Sequence, residues 1–382
     1  MPTSSFALTA EQELLRSEVR RFAEERIRPG VDERERTHEF PADILREMGE
    51  MGLLGMLVGE RYGGAGFDTV SYVVAVEEIA RVCPSVAVTM SVSNSVCAWP
   101  IYCFGSDELR ERFLPPLAAG VHLGGFGLTE PGSGSDAAAM RTTARRDGDH
   151  WLLNGEKAWI TNAGFAATYV VMAKTDPAAG SRGVTAFVVA ADSPGLAVGE
   201  PETKMGLKAS RTAPLLLTDC RIPAGNLLGQ VGEGFKIALA TLDHSRLGIA
   251  AQAVGIHQRA TELAISYARQ RVQFGVPIAR HQAVQFQIAQ MATELEAARV
   301  LTRHAAGHEG EHHGGRLASQ AKLYASEAAN RACYTALQIH GGNGFSDDSE
   351  ISRLYRDVRV TTIYEGTSEM QRLVIARHVL RG

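Results

Sequence analysis

At 382 residues the chain is long for one domain and suggests two or three, with enough length to bury about three quarters of its extended surface. Hydrophobic residues at 45% and charged residues at 21% are those of an ordinary folded protein and argue against disorder, collagen and long coiled coil. With 39 Lys and Arg against 43 Asp and Glu, a net charge of -4 gives no electrostatic reason to expect a nucleic-acid partner.

Residues 1–6 carry no basic segment followed by an apolar run, and the acidic amphipathic stretch after them is unlike a transit peptide. From Thr9 the chain reads as helix: Thr9 and Gln12 have capping-box spacing, and Leu15, Val19 and Phe22 follow at helical steps until Pro29-Gly30 stops the run. A second helix is expected to start at Pro41, with Ile44, Leu45, Met48 and Met51 on its apolar face. Residues 82–106 carry no charge and are long enough to span a bilayer, but Ser85, Thr89, Ser91, Ser93, Asn94, Ser95 and Pro100 interrupt them. The segment is therefore expected to be a buried helix of a folded core, without membrane insertion. Cys83, Cys97, Cys103, Cys220 and Cys333 are odd in number and form no Cys-x-x-Cys pair, which points to a reducing compartment, the cytoplasm, and to no metal site.

Near residue 121 the pattern changes to short β-rich runs. Asp147-Gly148 and Asn154-Gly155 flank a short run and read as consecutive hairpins, with further strands at 169–173, 184–190 and 213–218. No 10-residue helical pattern lies between them, so an antiparallel β-domain is expected in place of a doubly wound sheet. Helical periodicity returns near 235–271, 281–307 and 316–339. The plan is thus α+β and multidomain, with a helical domain over 1–120, a β-domain over 121–232 and a helical domain over 233–382.

Several motifs mislead. His308-Glu309-Gly310-Glu311-His312 has zinc-protease spacing, but Gly307, Gly310, Gly314 and Gly315 make it a solvated inter-helix loop where that motif needs a rigid helix. Dinucleotide and phosphate-loop glycine motifs and the nucleophile elbow are absent.

Three clusters carry chemistry. Residues 126–136 (FGLTEPGSGSD) combine a hydroxyl, a Pro-Gly turn and small residues, and read either as a connecting turn or as a loop that lets backbone approach a ligand. In Lys157-Ala158-Trp159-Ile160-Thr161-Asn162, alternation puts Trp159 and Thr161 on one face, which suits a planar hydrogen-bonding ring as well as a packed core. In residues 363–371 (IYEGTSEMQ), Ser368 and Gln371 have capping-box spacing, so Glu365 falls in the loop before a helix. There it is either a solvated dipole partner or, beside Tyr364, a partly desolvated general base.

With Arg271-Val272-Gln273-Phe274-Gly275, His281-Gln282, residues 338–344 (QIHGGNG) and Arg356-Asp357 in the same order, the whole chain resembles the acyl-CoA dehydrogenases, closest to the short-chain, butyryl-type members. The resemblance implies FAD, an N-terminal helical domain, a middle β-domain, a C-terminal four-helix bundle and a homotetramer. By the same resemblance Phe126, Leu128, Thr129, Gly134, Ser135, Trp159, Ile160 and Thr161 hold the flavin ring. Arg271 and Phe274 meet the pyrophosphate and adenine end, Gln282, Gln338, Gly341 and Gly342 reach a neighbouring subunit's FAD, and Thr367 and Glu369 are the last contacts. Asp243, Arg246, Ser135, Tyr364 and Gly366 are implied on the substrate side, with Glu365 as the base.

The implied reaction is α,β-dehydrogenation of a short straight or branched acyl-CoA, with an electron-transfer flavoprotein as acceptor. An acyl-carrier-protein substrate, or a lyase reusing the pocket, is the alternative. In this family the uncharged helix walls the acyl tail; Val92, Val96 and Trp99 lie at helical steps, so Trp99 is expected either to shorten the tunnel or to pack against a neighbouring helix.

Overall fold

A computed structural model describes residues 7–381; the leader reading of residues 1–6 lies outside them. The first helix, α1 (Ala10–Phe22), opens on the expected capping box, Thr9 Oγ1 accepting from the Gln12 N–H at 3.2 Å and Gln12 Oε1 from the Thr9 N–H at 3.1 Å. Pro29-Gly30 does not end the helical path. A π turn (Ala23–Ile27) and a 3₁₀ turn (Arg28–Gly30) lead into α2 (Val31–Thr37), because Pro29 falls in the first turn of the 3₁₀ segment, where its missing N–H costs nothing. The next helix, α3 (Ala42–Glu50), starts one residue after Pro41 and buries Ile44, Leu45 and Met48, leaving Met51 exposed.

A buried helix α4 (Thr69–Val82) precedes the uncharged segment, which forms α5 (Pro84–Val92), a π turn (Ser93–Ala98) and α6 (Trp99–Phe104), followed by α7 (Asp107–Ala118). Its polar groups are satisfied inside the protein: Asn94 Nδ2 donates to the carbonyls of Leu53 at 2.9 Å and Met90 at 3.1 Å, and its Oδ1 accepts from the Met56 N–H at 3.1 Å. Among the described residues no helix is long and apolar enough to cross a membrane. The π turn inserts a residue into the helical repeat and rotates the helix C-terminal to it. Trp99 consequently leaves the face of Val92 and Val96 and stacks on His244, centroids 4.5 Å apart and planes 6° apart, with its edge against Phe104.

The middle of the chain is one eight-stranded sheet of β1 (Leu123–Gly127), β2 (Thr143–Asp147), β3 (His150–Thr161), β4 (Ala166–Lys174), β5 (Val184–Ala190), β6 (Leu196–Val198), β7 (Thr212–Pro223) and β8 (Leu227–Leu228). The order is β6-β7-β3-β2-β4-β5-β8, and its long pairings are antiparallel except for β1, which lies parallel to β4. Asp147-Gly148 makes the expected hairpin between β2 and β3. Asn154-Gly155 makes none: β3 runs straight through it as a bulge against β7. Gly155 adopts φ +147°, and a Cβ there would lie 2.4 Å from Thr142 Oγ1, so glycine serves close packing instead of a turn.

The rest is helical: α8 (Gly234–Gln270), a short hairpin of β9 (Val272–Gln273) and β10 (Val276–Pro277), α9 (Gln282–Gly307), α10 (Gly314–His340), α11 (Gly342–Phe345), α12 (Glu350–Val358) and α13 (Ser368–Arg381). Alanine and glycine on the inner faces of α8 and α10 let these helices pack closely, with α4 along the other side of α8. One apolar core joins α1, α4 and α5 to the sheet and to α8–α10. The sheet, α5 and the N-terminal part of α8 converge on a single cleft.

Candidate active site

The cleft has a volume of about 1550 Å³. One wall comes from the sheet: Phe126, Leu128, Thr129, Gly134 and Ser135 after β1, and Trp159, Ile160 and Thr161 at the end of β3. Facing it are Asp243 and Arg246 of α8 and the turn carrying Tyr364, Glu365, Gly366 and Thr367. Val88, Val92 and Val96 add an apolar side. Three sequence clusters, the first and last more than 200 residues apart, are thus brought together.

The sheet wall is held by a buried ion pair. Lys157 Nζ, fully out of solvent, lies 2.8 Å from Glu130 Oε1 and donates to the Leu128 carbonyl at 3.3 Å. Glu130 also accepts from the backbone N–H groups of Arg141 at 2.5 Å and Thr142 at 2.9 Å. Burial works to raise the Glu130 pKa, but its bonds to Lys157 prevail and hold it below the usual value, while burial brings Lys157 down to about 8. The loop over 126–136 is therefore fastened to β3. A register shift between Lys157 and Ile160 puts Trp159 at φ +62°, and its indole, 58% exposed, turns into the cleft. The Thr129 and Thr161 hydroxyls also line the cleft and have no partner within the chain among the described residues. An apolar slot with a flat indole and two free hydroxyls fits an isoalloxazine ring.

Across the cleft Glu365 is half-buried and sits at φ +55°, followed by Gly366 at φ +92°. Two successive left-handed residues need holding. Gln371 Nε2 donates to the carbonyls of Glu365 at 3.2 Å and Gly366 at 2.8 Å, and Lys322 Nζ donates to Gly366 O at 2.7 Å. A Cβ on Gly366 would meet Gln371 Nε2 at 2.8 Å, so only glycine allows this clamp. The Glu365 carboxylate accepts from Ser245 Oγ. Burial raises its pKa, against the lowering effects of Ser245, Lys322, Arg246 and His244. The Glu365 N–H makes no hydrogen bond within the chain among the described residues. Arg246 is paired with Asp243, and the Tyr364 hydroxyl donates to Gln252 Oε1.

Arg271, Phe274, Gln282, Gln338, Gly341 and Gly342 do not line this cleft. The C-terminal ends of α8 and α10 and the N-terminal end of α9 bring them to the far end of the bundle, where Tyr267 stacks on His340 and Phe274 is 94% exposed. Arg271 lies about 40 Å along α8 from Arg246. Glu369 is also outside the cleft lining, exposed and 3.5 Å from Arg372.

Two sequence expectations change here. Thr367, not Ser368, caps α13, its Oγ1 accepting from the Met370 N–H at 3.3 Å, because Gln371 is occupied with the carbonyls of the Glu365 turn. The loop after α9 is docked as well as solvated: Glu309 accepts from His244 Nδ1 and from Thr69 Oγ1. Sequence reasoning assigned no role to Ser245 or Lys322. A signal for Lys322 existed, since it shares a helical face with Ala318, Ala325 and Ala329, where a lone lysine is out of place.

The acyl-CoA dehydrogenase N-terminal, middle and C-terminal domain models match residues 9–121, 125–220 and 232–380. The human mitochondrial short-chain specific acyl-CoA dehydrogenase is 48% identical over 378 residues, 99% of this chain and 92% of that protein. Butyryl-CoA dehydrogenase from Megasphaera elsdenii superposes with a TM-score of 0.96 at 42% identity, covering 98% of this chain and 99% of that one. A chain in a structure described as the electron-transferring flavoprotein of Acidaminococcus fermentans, concerned with flavin-based electron bifurcation, superposes at 0.97 with 44% identity, covering 99% and 100%. The chain belongs to the acyl-CoA dehydrogenase family. It is an FAD-dependent oxidoreductase.

Lys157→Met leaves the Glu130 carboxylate buried without its cation, an expected loss of about 3–5 kcal/mol. A lowered urea midpoint together with less bound FAD per chain is the expected result; wild-type values of both would show that the pair does not hold the loop.

Proposed function

We propose that this enzyme dehydrogenates a short straight or branched acyl-CoA to the trans-2-enoyl-CoA, with Glu365 as the base. The observation that carries the reading is the half-buried Glu365 carboxylate, its pKa raised by burial, facing Trp159 and Thr161 across the cleft. A thioester entering that gap brings its α-carbon to the carboxylate and its carbonyl to the free Glu365 N–H, so charge developing on the oxygen during proton removal meets a fixed donor. Entry also dries the carboxylate further, which strengthens it as a base. FAD, when bound, supplies the acceptor for the hydride that leaves Cβ. Phe126, Leu128, Thr129, Gly134, Ser135, Trp159, Ile160 and Thr161 hold its ring, with Thr367 and Glu369 at the start of α13. Asp243, Arg246, Ser135, Tyr364 and Gly366 orient the thioester. The acyl-CoA names of the human and Megasphaera relatives favour coenzyme A over a carrier protein.

Arg271, Phe274, Gln282, Gln338, Gly341 and Gly342 are too far from the cleft to serve the same FAD, so we assign them to the FAD of a second copy in a homotetramer. The exposed Phe274, Phe286 and Phe345 support burial against another copy. An electron-transfer flavoprotein is the acceptor we infer, supported by the Acidaminococcus neighbour. Five free cysteines suit the reducing cytoplasm.

Glu365→Gln is expected to keep FAD and butyryl-CoA binding and to slow flavin reduction by at least about 10²- to 10⁴-fold in rapid mixing; reduction within a few fold of wild type would place the base elsewhere. Light scattering after gel filtration is expected to give a tetramer, and a fully active monomer would remove the shared FAD contacts. Trp99→Ala is expected to lose about 3 kcal/mol of stability with an unchanged ratio of C8 to C4 kcat/KM. Val96→Phe, on the cleft, is expected to lower that ratio, and the opposite pattern would return the chain-length limit to Trp99.

A further inference from the structure

Lys322 is a buried lysine with no counter-charge in contact. It lies fully out of solvent on α10, and its Nζ bonds to the carbonyl of Gly366, the residue after the base, in no ion pair among the described residues. Burying an ammonium in this way is costly, and hydrophobic side chains of similar volume fill such positions well. Burial brings its pKa down to about 7, although the nearby Glu365 charge acts to raise it. The charged and titratable groups around the two come from every neighbouring element: Asp243, His244 and Arg246 of α8, Tyr72 of α4, Glu309 of the loop after α9, Glu327 of α10, Tyr364 beside Glu365, and Glu369 of α13. Of the other basic side chains that lower the Glu365 pKa, Arg246 is paired with Asp243 and His244 is hydrogen-bonded to Glu309. Lys322, unlike them, has no carboxylate partner.

We propose that Lys322 is a positioning residue for the reaction: it fixes the peptide behind Glu365 and supplies the uncompensated positive charge that keeps the Glu365 carboxylate ionised, ready to accept the α-proton. The proposal rests on the reading of Glu365 as the base. It explains how a carboxylate can be drawn out of water for basicity and still be deprotonated before substrate arrives.

Lys322→Met and Lys322→Gln holoenzymes test it. Both remove the charge, Gln retaining a donor. Neither orphans the Gly366 carbonyl, which still accepts from Gln371 at 2.8 Å. Infrared titration, with Glu365→Gln as the blank, follows the carboxyl directly, and rapid mixing with butyryl-CoA gives the pH dependence of flavin reduction. The ionisation midpoint and the acid limb are both expected to rise by about one pH unit or more in each variant, a tenfold loss of carboxylate on the acid side. An unmoved midpoint, within about 0.3 of a unit, in a folded, FAD-loaded variant overturns the proposal, whatever happens to the rate, since lost packing alone lowers amplitude without moving the limb. If the Met variant does not fold, the Gln variant decides. An unmoved midpoint with an inactive Glu365→Gln removes only the role of Lys322; an active Glu365→Gln removes the base itself.

Discussion

A carboxylate drawn out of water, with a hydroxyl and basic side chains set around it to oppose the cost, sets the terms for the rest of this structure. Glu365 is drawn into a half-buried turn, and burial pushes its pKa up. Ser245, Lys322, Arg246 and His244 oppose that push from two helices. Their balance depends on α8 and α10 lying close together, which small residues on both inner faces permit. The left-handed pair Glu365 and Gly366 aims the side chain into the cleft, and Gln371 and Lys322 hold that unusual backbone by its carbonyls.

Two buried lysines serve the two walls in different ways. Lys157 is matched by Glu130, and the pair fastens a loop to a strand. Such a pair adds position more than stability, since desolvation offsets much of the attraction. Lys322 has no such match and bonds to a neutral carbonyl. Its charge therefore acts outward, on the groups that share its pocket.

The length of α8, 37 residues, separates the ends of the helical bundle and gives the chain two distinct surfaces. Its N-terminal third carries Asp243 and Arg246 into the cleft and sets Ser245 against the Glu365 carboxylate, while its C-terminus carries Arg271 to an exposed end. A helix of this length is rigid across that span, so no local flexing unites the two groups in one chain. In the proposed assembly, a second copy brings the two groups together.

Much of this was legible in the sequence because it depends on near neighbours. Helical and strand periodicities, the Thr9–Gln12 cap and the Asp147-Gly148 hairpin are local, and each residue involved finds its partner within a few positions. The three clusters of the cleft could be named, since residue types and spacing carry chemistry, and their order along the chain marked the family. What local pattern left undecided was which faces meet. Asn154-Gly155 has the letters of a turn, but β7 pairs across it and extends the strand. Trp99 follows Val96 in spacing, and a π turn rotates it onto His244. Ser368 has a cap's spacing, but Gln371 is needed by carbonyls that the Glu365 turn presents. Lys322 and Glu309 acquire their roles only when α8, α10 and the loop after α9 come together. Propensity and spacing act over a few residues, whereas desolvation and charge act through space, and only the tertiary structure decides which groups share it.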